Sequence, residues 1–227
     1  MNLLTFYTSD GWKENHPHAA LGVLAVEGIV NKQVSDALDA EKVALAQWLA
    51  ERFDSREPIK ADATLQAYAA YYKRFRKNYH VFFQMESVAV KGKPIPRVNA
   101  LVEAMFMAEL KHGLLTAGHD LDEVAGAVTL DCAMGDKRYQ TMSGEMKTLK
   151  TGDMYIRDEI GILSSIIYGP DGRTHITGKT RRALFTVYAV DGITVRAVKR
   201  HMEDIVRWIR LFSPEAQTIA MAVYSAQ

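Results

Sequence analysis

The sequence predicts an α+β fold in which helices flank a mixed β-sheet system. The first observation behind this prediction is that apolar residues recur at helical spacing in several long segments. The second is that short β-type runs are separated by Gly, Asp and Pro turns, at a spacing that favours one sheet system over a βαβ repeat. We find no internal repeat, low-complexity tract or linker, so we expect residues 1–227 to form a single domain.

Two strands followed by two helices are predicted in the first part of the chain. Segments 3–7 and 19–30 are rich in aliphatic and β-branched residues and bracket a polar stretch, which predicts strand, loop and strand. Segments 33–53 and 62–77 repeat apolar residues at helical spacing and are expected to form helices. Basic residues crowd the end of the second helix, where they complement the negative end of the helix dipole.

A loop and a strongly apolar helix come next. Pro94 and Pro96 exclude both a helix and a central strand over 91–96, because proline cannot donate a backbone hydrogen bond. The helix predicted over 98–111 is apolar on a wide face, which favours burial. Gly113 follows it and is expected to end it.

The remaining segments predict strands and a last helix. The β-type runs lie at 124–133, 139–142, 153–157, 160–167 and 183–190. The segment 195–212 is amphipathic, and the simplest interpretation is that its apolar face docks onto the sheet. A contact surface for another protein is the alternative for this helix.

Composition narrows the class of protein. Hydrophobic residues make up 48% and charged residues 24% of the chain, which predicts an ordered globular protein. A net charge of +1 gives no global argument for nucleic acid, so RNA binding must rest on local clusters of Lys and Arg. Cys132 is the only cysteine, which excludes an internal disulfide and fits a reducing cytoplasm. With no apolar run near the ~20 residues of a membrane helix, we expect a cytoplasmic protein and no membrane partner.

Common catalytic and metal motifs do not occur. His16 and His18 lack a matching set of Cys, His or carboxylate ligands, so a surface loop is the favoured interpretation, and no metal or other cofactor is expected. The segment 177–180 ends like a phosphate-binding loop, but Arg173 stands where that motif needs its first glycine. No serine lies in a Gly-x-Ser-x-Gly elbow.

An ordered set of segments carries a resemblance to a known family. The segments are 93–103 (KPIPRVNALVE), 111–114, 118–122, 130–136, 153–158, 163–169 and 180–185. In this order the chain resembles the B3/B4 domain, the editing domain of the phenylalanyl-tRNA synthetase β subunit. The resemblance covers residues 72 to 190, and the N-terminal strand–helix unit looks like that of free-standing family members.

The resemblance implies a function and leaves an alternative open. In the synthetase, the domain accepts tyrosine wrongly attached to the phenylalanine tRNA and hydrolyses the ester, so this chain is expected to edit mischarged aminoacyl-tRNA in trans. The histidine of the family falls on Ala117, with His119 two residues later, and its glutamate falls near Pro170 or Asp171. These departures keep open a non-catalytic module that binds RNA, an amino acid or a small metabolite. Whether the protein is an enzyme, and its oligomeric state, stay open at this point.

The resemblance also implies site residues. His119 is the candidate catalytic group, because imidazole titrates near neutral pH, and the alternative is that it packs a turn. The predicted substrate-binding residues are Arg97, Asn99, Glu103, Ser164, Ser165 and Gly169. The predicted RNA-binding residues are Lys73, Arg74, Arg76 and Lys77, then Lys91 and Lys93, then Lys179, Arg181 and Arg182. The expected partner is aminoacylated tRNA, with a small amino-acid ligand as the alternative.

Overall fold

A computed structural model describes residues 4–226. The helices are α1 (Asp10–Asn15), α2 (Asp36–Arg52), α3 (Arg56–Ala61), α4 (Ala63–Arg74), α5 (His80–Ala89), α6 (Ala100–His112) and α7 (Val195–Phe212), with a 3₁₀ turn at Leu121–Glu123. The strands are β1 (Phe6–Thr8), β2 (Ala20–Glu27), β3 (Leu115–Asp120), β4 (Val128–Cys132), β5 (Arg138–Gln140), β6 (Met146–Thr148), β7 (Met154–Arg157), β8 (Ile162–Ser165), β9 (Gly169–Pro170), β10 (Ala183–Ala189) and β11 (Gln217–Ser225). None of the described helices is long and apolar enough to span a membrane.

The α+β class with flanking helices is confirmed, but the described strands are divided over several sheets. A five-stranded sheet has the order β1-β4-β7-β8-β9, with β1 parallel to β4. A four-stranded antiparallel sheet has the order β11-β2-β10-β3, and β5 and β6 form a separate hairpin. The expectation of one sheet system is therefore corrected. The reason is that β10 is buried along its whole length, so both faces of its sheet must be covered, and a second sheet covers one of them.

Helices cover one face of the four-stranded sheet, and the five-stranded sheet covers the other. The apolar residues of α7 are buried, and this helix packs on β2, β10 and β11. Tyr188 of β10 contacts Ser164 of β8 on the opposite side, where their hydroxyl oxygens lie 2.8 Å apart. Because the apolar face of α7 is used inside the chain, the hypothesis of α7 as a contact surface for another protein loses its basis.

Several element bounds follow local signals. The amphipathic pattern predicted α7 at residues 195–212, as observed. Gly113 ends α6 with a φ of +69°, a conformation that glycine adopts without steric cost. The strand predicted over 3–7 begins at residue 3, outside the described residues, and β1 starts at Phe6.

Several of the described elements were not predicted from the sequence. They are the helices α1, α3 and α5 and the strands β3, β6, β9 and β11. The segment of β3, Leu-Thr-Ala-Gly-His-Asp, has low strand propensity, and it is extended because it pairs with β10 over six residue pairs. The turn expected around His119 is therefore a strand.

Gly22 of β2 lies where α7 presses on the sheet. A Cβ atom at this position would lie 2.5 Å from Cγ1 of Val198 and 3.2 Å from Cβ of Val187. We expect Gly22→Ala to lower the free energy of unfolding by about 1–3 kcal/mol, because helix and sheet would have to separate. Urea denaturation measures this, with Gly161→Ala as the control, since no atom lies within 4 Å of a Cβ at Gly161. Equal effects of the two substitutions would contradict the packing argument.

Candidate functional site

A cavity of about 430 Å³ lies between the helices and the two large sheets. Residues of α4, α5 and α6 form one side, and β3 together with the segment from β8 to β9 forms the other. The side chains that line it include Tyr72, His80, Gln84, Met105, Glu109, Ser165, Tyr168 and His175. The volume suits a small molecule or one part of a larger one.

The segment after β8 is held in place by hydrogen bonds from several sides. Tyr72 donates its hydroxyl to the carbonyl oxygen of Ile166 at 2.8 Å, and the backbone N–H of Ile167 donates to the Asp153 carboxylate at 3.2 Å. Tyr139 donates to the carbonyl oxygen of Gly169 at 2.7 Å. This wall is therefore formed before any ligand binds.

Two polar groups on the helical side of the cavity are unusual. Glu109 is only 5% exposed, and its Oε1 accepts the backbone N–H of Thr116 at 2.8 Å. Burial raises the pKa of Glu109 to about 8, so the carboxyl group is largely protonated at neutral pH. Oε1 of Gln84 is buried and has no hydrogen-bond partner among the described residues. A ligand that donates a hydrogen bond would satisfy this carbonyl oxygen.

Two of the predicted substrate-binding residues line the cavity. They are Ser165 and Gly169. Oγ of Ser165 accepts the backbone N–H of Tyr168 at 3.1 Å and lies 3.4 Å from the hydroxyl oxygen of Tyr139. The hydroxyl group is thus held at the edge of the cavity.

His119 and Ser164 lie behind the cavity wall and do not line it. The imidazole of His119 is fully buried, with Nδ1 at 2.7 Å from Oγ1 of Thr174 and Nε2 at 3.2 Å from Oγ of Ser164. Burial lowers the pKa of His119 to about 3, so the ring is neutral. Ser164 also contacts the hydroxyl group of Tyr188, which does line the cavity. A chain of hydrogen bonds therefore joins His119 to the cavity through two side chains.

The other predicted substrate-binding residues brace the start of α6. The side chain of Asn99 caps this helix by accepting the N–H of Val102 at 3.1 Å. Glu103 lies 2.6 Å from Nζ of Lys42, and Arg97 forms an exposed ion pair with Asp39 at 2.5 Å. These contacts use polar atoms of all three residues, and none of the three lines the cavity.

The predicted RNA-binding residues lie on three separate segments. The first group is at the end of α4, where the guanidinium of Arg74 lies over the ring of Tyr71 at 5.4 Å. The second is the loop after α5, where Lys91 pairs with Glu86 at 3.5 Å. The third precedes β10, and there Arg182 pairs with Asp122 at 3.0 Å.

Most of the polar groups in the cavity were not predicted from the sequence. These are His80, Gln84, Glu109 and His175. His80 and Gln84 are four residues apart and therefore share one face of a helix, a pattern that was available in the sequence. Glu109 is an acidic residue in an apolar helix, which is a known signal for a functional group. Among the described residues there is no group of three or more His, Cys, Asp or Glu that could hold a metal ion.

Fold and cavity together define an α+β domain with a cavity between its helices and its two large sheets. The chain belongs to the B3/4 domain family, whose model matches residues 64–224, and this confirms the resemblance seen in the sequence. An N-terminal fragment of the phenylalanyl-tRNA synthetase β-subunit from Pyrococcus horikoshii has a similar structure, with a TM-score of 0.53 and 12% identity. The alignment covers 98% of this chain and 50% of that fragment, so the chain spans about half its length. A comparison with curated proteins gave no match.

Proposed function

We propose that this domain holds the aminoacyl group of a mischarged tRNA in the cavity and hydrolyses its ester. The observation that carries the proposal is the cavity itself, lined by Ser165 and Gly169 and by the buried polar groups of Gln84 and Glu109. Membership of the B3/4 family and the similar fold of a phenylalanyl-tRNA synthetase fragment support an aminoacylated tRNA as the substrate. Since a shared fold does not fix an activity, the chemistry has to come from the site.

The cavity offers a place for each part of an aminoacyl group. Tyr72, Met105 and Ile166 give apolar contacts for the side chain of the amino acid. The α-amino group would donate to the carbonyl oxygen of Gln84 and lie near Glu109, whose carboxyl group loses its proton when a cation binds beside it. One ligand group would thus satisfy both of the buried polar side chains.

Aminoacyl esters are intrinsically labile, so a site that orients a water molecule is enough to hydrolyse them. The water oxygen attacks the acyl carbon, the bond to the ribose oxygen breaks, and that oxygen takes up a proton to become a hydroxyl group while the amino acid leaves with a free carboxylate. His80 and His175 are exposed imidazoles that line the cavity, and they are suited to accept the proton of the attacking water. His119 would act as a positioning residue, because it contacts Ser164, whose hydroxyl group contacts the cavity-lining hydroxyl of Tyr188. The three basic groups would bind phosphates of the tRNA.

Deacylation of a panel of correctly and incorrectly charged tRNAs tests this proposal. We expect selective hydrolysis of at least one mischarged tRNA, and a loss of about tenfold or more in Ser165→Ala and in Glu109→Gln, equivalent to about 1.4 kcal/mol of lost transition-state stabilisation. Val43→Ala is the control, because Val43 is 59% exposed on α2 and lies outside the cavity. Hydrolysis of no pair, or equal activity in all variants, would refute the proposal.

A non-catalytic module is the second candidate. The observation that favours it is the burial of His119 and Ser164. These side chains contact each other at 3.2 Å and do not line the cavity, so neither can touch a ligand there. Under this hypothesis a free amino acid binds in the cavity and no charged tRNA is hydrolysed. Calorimetry with free amino acids, run beside the deacylation assay, distinguishes the two functions.

A further inference from the structure

A second groove runs along α6 directly beside the cavity. Its volume is about 460 Å³, and it shares Gln84, Val102 and Met105 with the cavity. The other residues that line it are Ser87, Val88, Lys93, Pro94, Pro96, Val98, Glu103 and Phe106. Because three residues border both spaces, the groove adjoins the cavity along α5 and α6.

The walls of the groove are apolar and aromatic. Phe106 contributes a ring, and Val98 is 55% exposed beside two prolines. The Glu103 carboxylate is neutralised, since Oε2 lies 2.6 Å from Nζ of Lys42 and Oε1 accepts the N–H of Val98 at 2.8 Å. The groove therefore presents little negative charge to a ligand.

One cation stands at the rim of the groove. Lys93 is exposed, and its ammonium group has no acidic partner among the described residues. Its backbone N–H donates to the carbonyl oxygen of Ser87 at 3.0 Å, which fixes this part of the loop. An aromatic wall beside an unpaired lysine is suited to a base with a nearby phosphate.

We propose that this groove binds the terminal adenosine to which the aminoacyl group is attached. The inference rests on the proposed function, because an ester places the ribose within a few bonds of the amino acid, and the groove is the space that adjoins the cavity. The base lies against Phe106 and Val98, the ribose lies at the junction near Gln84, and the 5′-phosphate meets Lys93. Stacking on an aromatic ring tolerates any base, so the groove recognises the nucleoside mainly by shape and charge.

Calorimetry with non-hydrolysable probes tests the groove separately from the cavity. The cavity probes are the N-methylamides of L-tyrosine, L-phenylalanine and L-alanine. The groove probes carry the same aminoacyl groups in amide linkage to 3′-amino-3′-deoxyadenosine, with and without a 5′-phosphate. We expect the adenosine probes to bind about tenfold or more tightly than the methylamides, and the 5′-phosphate to increase affinity further.

Variants assign the gain in affinity to the groove. Phe106→Leu keeps the apolar volume but removes the ring. We expect it to lower the affinity for the adenosine probes about fivefold and to leave the affinity for the methylamides unchanged. Val98→Glu places a carboxylate in the groove and is expected to weaken the adenosine probes, with Val43→Glu on the exposed face of α2 as the matched control. Lys93→Ala is expected to remove only the gain from the 5′-phosphate. Thermal unfolding checks that each variant is folded.

The outcomes separate this inference from the proposed function. If the methylamides bind and adenosine adds nothing, or if its gain persists in both groove variants, the groove proposal is wrong and the cavity proposal stands. If the adenosine probes bind through the groove and no methylamide binds, the groove proposal stands and the aminoacyl cavity loses its support. Binding of neither kind of probe would overturn both.

Discussion

Replacing Glu103 with alanine is expected to lower the free energy of unfolding by about 3 kcal/mol, because it removes one of the two carboxylates that pair with the buried ammonium group of Lys42. The side chains of Lys42 and Glu103 are 7% and 6% exposed, and they are joined at 2.6 Å. The substitution also removes the acceptor for the backbone N–H of Val98. Lys42 keeps its contact with Asp39 at 2.6 Å, which limits the loss. Urea denaturation at neutral pH measures the effect.

Arg97→Ala is the matched control for this prediction. Arg97 is also an ion-pairing residue that the sequence assigned to substrate binding, but its side chain is 65% exposed. Exposed ion pairs contribute about 0–1 kcal/mol, so we expect a change below 1 kcal/mol. If Glu103→Ala were as mild as Arg97→Ala and instead abolished ligand binding, a direct role of Glu103 in the site would replace the structural one.

Replacing Glu109 with glutamine is expected to raise the free energy of unfolding by up to about 4 kcal/mol at pH 8 and to change it little at pH 4. The pKa of Glu109 is raised by burial from 4.5 to about 8, so the folded state holds a proton that the unfolded state releases between these values. The stability of the native protein therefore falls as pH rises through this window, by at most about 1.4 kcal/mol per pH unit from this group. Glutamine does not titrate, and its carbonyl oxygen can still accept the N–H of Thr116.

Urea denaturation at pH 4, 6 and 8 checks this prediction. Burial also raises the pKa of Asp153 to about 7, so part of the decline with pH persists in the variant. The difference between the two proteins isolates Glu109. The same pH dependence in both would show that Glu109 is charged in the folded protein, and its assignment as a neutral group in the cavity would be wrong.

Local patterns in the sequence predicted several elements because those elements depend on local physics. The apolar face of α7 and the conformation required of Gly113 are set by nearby residues, and both were identified. The family was identified from the order of segments along the chain, and the family model confirms it over a wider range. The single domain over residues 1–227 stays a prediction. The contents of the cavity were largely missed, because Gln84 and Glu109 come from helices that meet only in the folded protein.

The sequence by itself determined the family, the α+β class and the position of the small-residue segment that holds Ser165. The tertiary structure decided which residues of a strand face the cavity. Ser165 lines it, while Ser164, one residue away in the same strand, contacts His119 and Tyr188 between the sheets. Side chains alternate between the two faces of a strand, so adjacent residues have opposite environments. Which face becomes the cavity depends on how two sheets and three helices pack, and no local pattern in the chain specifies that.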